Sequence, residues 1–337
     1  MTTVTTRPQE ERKTKFQVWR SRHGWTAGVW LLLIVLVAWY AALLPKFGAF
    51  QINSILKNSL PLVFLAIGQG VVVIAGGIDL GVGSMMVLAN SVAALLMEGQ
   101  PFAMTLLIGV GIILGLAAMN AVVGWIVSVS GVPDIVVTLA TLFIYGGLAL
   151  LILPGPGGGT SEGMRWMFTG STSGVGTNFW PPMIVLLLVT VGVAWFMRRT
   201  RPGLSLYASG SDLNAAYLSG VNTKKSKVLS YAISGGLAGM AGLAVLALTN
   251  VGDPRFALAG QKTLESVAAI VLGGIALTGG VGSIVGVVAA GIIVFFLDLL
   301  LVAIGLDSNT SQVVQGVLIV VVMMVAGLLE VRRRRLE

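Results

Sequence analysis

Residues 103–127 read AMTLLIGVGIILGLAAMNAVVGWIV, a continuous apolar run without one charged side chain. At about 1.5 Å per residue a helix of this length crosses the roughly 30 Å hydrocarbon core of a bilayer. Its apolar residues are contiguous instead of alternating, which excludes a strand of an outer-membrane barrel. Working outward, further apolar runs lie at about 25–44, 59–75, 82–97, 135–153, 180–197, 228–248, 263–278, 283–304 and 312–329, which makes ten in all. The second, third and eighth runs in chain order are shorter than a perpendicular helix needs, so they are candidates for broken or re-entrant helices.

Composition agrees with an integral membrane protein. Of 337 residues, 56% are hydrophobic and 10% charged, against about 25% charged in an average soluble domain. Mean hydropathy is +0.94, and 45 glycines and 13 methionines suit closely packed helices in lipid. There is no cysteine, and His23 is the one histidine. Thiolate, cysteine-zinc and imidazole chemistry therefore have no basis here, and neither a catalytic residue nor a metal site is expected. No G-x-x-x-x-G-K-[ST] phosphate loop occurs, so if ATP drives this chain, another subunit hydrolyses it.

The net charge of +8 is explained by where the basic residues lie. Six precede the first run (Arg7, Arg12, Lys13, Lys15, Arg20, Arg22), six fall between 198 and 227, and four are Arg332–Arg335. Short loops rich in Lys and Arg stay on the cytoplasmic side, so no nucleic-acid surface is needed. Six runs separate the first two clusters and four the last two; both counts are even, as a shared side requires. The expected fold is thus all-α and polytopic, with about ten transmembrane helices and both termini cytoplasmic. It divides into a cytoplasmic segment 1–24, helices one to six over 25–197 with an external loop 154–180, a cytoplasmic loop 198–227, helices seven to ten over 228–330, and a basic tail 331–337. The external loop opens PGPGGGTSEG and carries Trp166, Phe168 and Trp180, which suit a linker, an interfacial aromatic belt, or a docking surface.

Among acids at or within the membrane are Asp79, Asp134, Glu265 and Asp298, and of these Asp298 alone lies well inside a run. A buried acid serves either as an ion site or as an interhelical hydrogen-bond partner. Asp79 belongs to AGGIDLGVGS, 75–84, where it precedes the third helix as a cap in a glycine-rich turn. A second glycine cluster, LGGIALTGGVGSIVG at 272–286, joins the eighth and ninth runs, and the pair suggests internal duplication. The middle loop reads LYASGSDLNAAYLSGVNTKK, 206–225, and predicts a short helix over 214–219, with Ser211 accepting first-turn amides, Asp212 complementing the dipole and Gly220 closing it left-handed. Ala215 and Ala216 would give that helix a small apolar face for a partner. In the fifth run Thr138, Thr141 and Tyr145 share one helical face, and with Asn90, Asn120 and Gln69 they either line a mildly polar path or pack helices together.

Four ordered stretches, GGIDLGVGS (76–84), GVPDIVVTLAT (131–141), SGSDLNAAYLSGVN (209–222) and ESVAAIVLGGIALTGGVGSIVG (265–286), together resemble the inner-membrane permeases of ribose-, xylose-, arabinose- and galactose-type ABC importers. The resemblance covers nearly the whole chain. It implies a bacterial cytoplasmic-membrane permease that moves a sugar or similar polyol by alternating access. It also implies a cytoplasmic subunit binding ATP and Mg, an extracytoplasmic sugar-binding protein, and a second permease subunit, identical or different. It assigns Asp212, Ala215, Ala216, Leu218, Ser219 and Gly220 to coupling with the ATPase, and Gly77, Asp79, Leu80, Gly83 and Ser84 to the family signature. Gly81, Asp134, Thr263 and Asp298 depart from the usual pattern, which bears on the substrate and not on the transporter class. The alternative is a stand-alone ion-coupled carrier or facilitator with Asp79 or Asp298 as its ion site.

Overall fold

A computed structural model describes residues 15–173, 176–307, 310–311, 313–317, 320–321 and 324. The described residues form an all-helical bundle: α1 (Lys15–Leu43), α2 (Ala49–Ile74), α3 (Val82–Met97), α4 (Phe102–Ser130), α5 (Asp134–Ile152), α6 (Glu162–Thr169), α7 (Trp180–Arg199), α8 (Arg201–Ser211), α9 (Leu213–Leu218), α10 (Thr223–Thr249), α11 (Phe256–Leu272) and α12 (Ile284–Ala303). Seven of these, α1, α2, α4, α5, α7, α10 and α12, are long and apolar enough to cross a membrane. Nine of the ten apolar runs correspond to helices; most of the tenth, like residues 1–14 and the tail 331–337, falls outside the described residues.

The second run is not broken. Its helix starts at Ala49 and is 26 residues long, because Gln51, Asn53, Lys57 and Asn58 interrupt the hydropathy without interrupting the backbone. The structure therefore corrects one of the three expected interruptions, while α3 and α11, at 16 and 17 residues, do stay short.

Burial separates two kinds of helix. From Ser59 to Ile74 every residue of α2 is buried, whereas α4, α5 and α7 expose large side chains such as Leu107, Leu114, Phe143, Leu151 and Leu188. A helix buried all round is a core element, and one with an apolar outer face meets lipid. α10 packs against α4, α2 and α3, and glycines permit its approach. A methyl group on Gly235 would collide with the Leu116 carbonyl oxygen of α4, and one on Gly242 with Ala89 of α3. Without a hydrophobic driving force between helices in lipid, this close backbone contact is what holds them together. α1 is fastened at the side by two indoles: Trp25 Nε1 donates to Leu272 O at 2.9 Å and Trp30 Nε1 to Val285 O at 3.2 Å.

The loop 154–180 is more ordered than a linker. Ser161 caps α6 by accepting from Met164 N, Gly170 closes it with φ +71°, and Gly157 and Gly252 exchange backbone hydrogen bonds. Trp166 and Trp180 point outward, but Phe168 is buried and belongs to the core instead of an aromatic belt.

The neighbouring glycines 235 and 236 give a paired test. Gly235→Ala forces α10 away from α4 and should cost on the order of 1–3 kcal/mol, read as a lower melting temperature in detergent. Gly236→Ala, whose nearest neighbour would be 3.6 Å away, should leave it unchanged.

Candidate functional site

The two glycine clusters, far apart in sequence, meet at one end of the bundle under α8. Thr200 caps α8 by accepting from Gly203 N at 3.1 Å, and its last turn brings Gly210 against both clusters. Gly280 N donates to Ile74 O at 2.9 Å. A methyl group on Gly210 would collide with that same Ile74 oxygen and lie 2.7 Å from Gly280 N. Gly76 and Gly280 have φ of +76° and +72°, a region other residues rarely adopt. Side chains reinforce the contact: Tyr207 Oη donates to Gly282 O at 3.3 Å, Arg198 Nη2 to Ser283 Oγ at 3.1 Å, and Ser211 Oγ to Tyr207 O at 2.9 Å.

α9 leaves directly from this platform. Its cap is Asp212, whose Oδ1 accepts from Ala215 N at 2.9 Å. Ser211, expected in that role, is the last residue of α8 and donates back into it. Gly220 closes the helix at φ +82°, with Val221 N donating to Ala216 O at 3.0 Å. The expected Ala215–Ala216 face is half corrected: Ala215 is exposed, but Ala216 is buried against the protein. What α9 presents instead is Leu213, Tyr217 and Leu218, at 59%, 70% and 84% exposure. Leu213 and Tyr217 were legible as an i, i+4 pair. The 198–227 stretch is helical over most of its length, taking in the end of α7, α8, α9 and the start of α10.

Behind the platform, Asp79 ties the 75–81 turn to two helices. Its Oδ1 accepts from Gly81 N at 3.0 Å; its Oδ2 accepts from Asn120 Nδ2 of α4 at 2.8 Å and Ser234 Oγ of α10 at 3.1 Å. The N-terminus of α3 is held from outside as well: Gly83 N donates to Thr263 Oγ1 of α11 at 3.1 Å, and a methyl group on Gly83 would collide with the Ala259 carbonyl. Ser84 is fully buried and its hydroxyl has no partner, while Leu80 is half-buried.

Thr138, Thr141 and Tyr145 do share a face, and all three are buried. Thr138 Oγ1 donates to Asp134 O at 2.9 Å, Thr141 Oγ1 to Thr138 O at 2.9 Å, and a methyl group on Gly81 would lie 2.7 Å from Thr141 Oγ1. Asn120 belongs to the Asp79 knot. Asn90 lies apart from it and accepts from Asp253 N at 2.8 Å. Gln69 is buried with both amide atoms unpartnered. Glu265 pairs with Lys262 at 2.6 Å, and Asp298 is half-buried with Oδ1 unpartnered. Among the described residues no group of three His, Cys, Asp or Glu side chains could hold a metal.

Residues 51–323 match the family described as branched-chain amino acid transport system / permease component. The chain belongs to this permease family. It is 33% identical over 304 residues to the ribose import permease of Escherichia coli, covering 88% of this chain and 91% of the relative. It is 28% identical over 325 residues to the D-allose transport system permease of the same organism, 95% of each chain. With an autoinducer 2 import system permease of Enterobacter it shares 32% over 302 residues, 88% of this chain and 85% of that one. No solved structure matches. With seven helices among the described residues long and apolar enough to cross a membrane, the permease is a multi-pass protein of the bacterial inner membrane.

Asp79→Ala leaves the buried Ser234 hydroxyl and one of the two Asn120 amide hydrogens, the other of which donates to Tyr231 O, without an acceptor and should cost on the order of 2 kcal/mol or more. Ser84→Ala removes a hydroxyl that has no partner and should be neutral or stabilising. Thermal unfolding of both variants in detergent checks the contrast, and an Asp79→Ala protein as stable as the parent would remove the knot from the account.

Proposed function

We propose that this permease is the membrane subunit of an ATP-binding-cassette importer that carries a sugar or similar small polyol into the cytoplasm by alternating access. The observation that carries the reading is α9, whose exposed Leu213, Tyr217 and Leu218 sit on a helix that leaves directly from α8, which is seated against both glycine turns. Apolar side chains held out from a rigid base are what a partner's groove engages. The partner is a separate cytoplasmic ATPase holding ATP and Mg, and Asp212, Ala215, Leu218, Ser219 and Gly220 stand at or beside its contact. Ala216 supports α9 from behind.

The topology that goes with this has ten crossings: the seven long helices, the short α3 and α11, and the segment beginning near Thr310. Residues 1–24, 198–227 and 331–337 then face the cytoplasm. On the opposite side α6 and the 154–180 segment receive an extracytoplasmic binding protein, and a second permease subunit, identical or different, completes the pathway. The relatives named for ribose and allose support the sugar class. Thr138, Thr141, Tyr145, Asn90 and Asn120 are the polar candidates for the path wall. Asp79 already accepts three donors, which leaves the ion-coupled alternative resting on Asp298.

Tagged permease purified gently from native membranes should bring an ATP-hydrolysing subunit with it. Tyr217→Asp and Leu218→Asp should each reduce the retained ATPase at least tenfold while the amount of permease stays constant. Full retention in both would sink α9 as the contact, and a parent protein that never retains an ATPase, even after crosslinking in the membrane, would favour the carrier.

A further inference from the structure

The Lys227–Asp134 pair has no place in the reading so far, yet it lies where three elements meet. Lys227 is in the second turn of α10, which starts three residues after Gly220 closes α9. Its Nζ is 2.6 Å from Asp134 Oδ2 and donates to Gly76 O at 3.1 Å. Asp134 is the first residue of α5, where the helix dipole favours a negative charge. Tyr231, one turn further along α10, donates to Asp134 Oδ2 at 3.1 Å and lies 3.0 Å from Ile78 O. The two charged side chains are 17% and 19% exposed, so the pair is largely shielded from water and from screening.

The 76–78 turn is cut to fit this pair. A methyl group on Gly77 would lie 2.5 Å from Asp134 Oδ2 and 3.0 Å from Lys227 Nζ. Apart from the Tyr231–Asp134 hydrogen bond, the end of α5 has little other hold on α10: Thr138 bonds within α5 and toward Ile78, and none of its hydrogen bonds reaches α10. Resting on the importer reading above, we propose that Lys227 and Asp134 are positioning residues for coupling. Their ion pair transmits displacement of α9, through the start of α10, to α5 and to the 76–78 turn together. With the pair intact, α5 and the face bearing Thr138, Thr141 and Tyr145 move with α10. Without it only the Tyr231–Asp134 hydrogen bond joins the two, and α5 follows α10 less far.

Because the chain has no cysteine, the motion can be read directly. Spin labels are placed at Ile144→Cys on α5 and Leu188→Cys on α7, both exposed apolar positions, in the permease purified with its ATPase subunit. ATP with vanadate is the probe, so the transported ligand need not be known. In the parent the label-to-label distance should shift on trapping. In Asp134→Asn and in Lys227→Gln the shift should fall at least twofold with ATPase retention and hydrolysis preserved, and the double variant should lose no more than either single, as two ends of one link require. An unchanged shift in the singles overturns the proposal, as do losses that add in the double. Lower thermal stability with an undiminished shift also overturns it, since the pair is then structural. Failure of the parent to retain an ATPase overturns the importer reading as well, and is seen before any label is read.

Discussion

The backbone contact among Ile74, Gly210 and Gly280 constrains everything around it. One carbonyl oxygen, that of Ile74, accepts from Gly280 N and leaves no room for a side chain on Gly210. Three elements therefore touch without the cushioning of side chains: the end of α2, the turn before α12, and α8. Side chains can change rotamer under load, whereas a backbone contact of this kind is either kept or broken. That makes α8 a stiff base, and the cap of α9 begins one residue after it ends. A docking element for a moving partner needs such a base, because a displacement absorbed locally performs no work at a distance.

A second constraint comes from the solvent. Buried polar groups in a bilayer have no water to turn to, and each left unpaired costs free energy. The 75–81 turn, which departs from helix next to the membrane core, answers this by drawing partners from four neighbouring helices: Asn120 from α4, Tyr231 and Ser234 from α10, Thr138 from α5, and Thr263 from α11. The turn is irregular, but it is not loose. Glycine supplies the conformations, and the surrounding helices supply the hydrogen bonds that glycine lacks.

How much of this was legible follows from the physics of each signal. Long apolar runs report burial in lipid directly, so nine helices and the two glycine turns could be read from residues alone. α2 was misjudged at its start because hydropathy does not distinguish polar residues that end a helix from those, such as Asn53, that a neighbouring loop satisfies. The cap of α9 was placed one residue early because Ser211 and Asp212 are both competent caps, and only tertiary contact with the second glycine turn decides between them. Ala216 was misplaced because a six-residue helix has too few residues for periodicity to reveal which side is covered. The stripe Lys227, Tyr231, Ser234 recurs at helical spacing and could have been noticed, but its partners at Asp134 and Asp79 lie across more than ninety residues of sequence.

The distribution of contacts also says which parts can move. α2 and α4 both pack extensively on α10 through glycines, and α2 is buried on every side from Ser59 to Ile74. They move as one body or not at all, because separating them means parting close-packed backbone, which packed interiors resist. α5 differs: it packs on α3 and the 76–81 turn on one side and exposes Ile135, Val136, Leu139, Phe143, Ile144 and Leu151 on the other. Its outward surface can exchange one set of lipid contacts for another at little cost, so the smallest barrier to rearrangement lies along its inner face. That inner face carries the three polar residues of the candidate path, and its charged end carries the pair to α10. On the importer reading, a pull through the start of α10 is met first at α5, and the α2–α10–α4 core need not be divided.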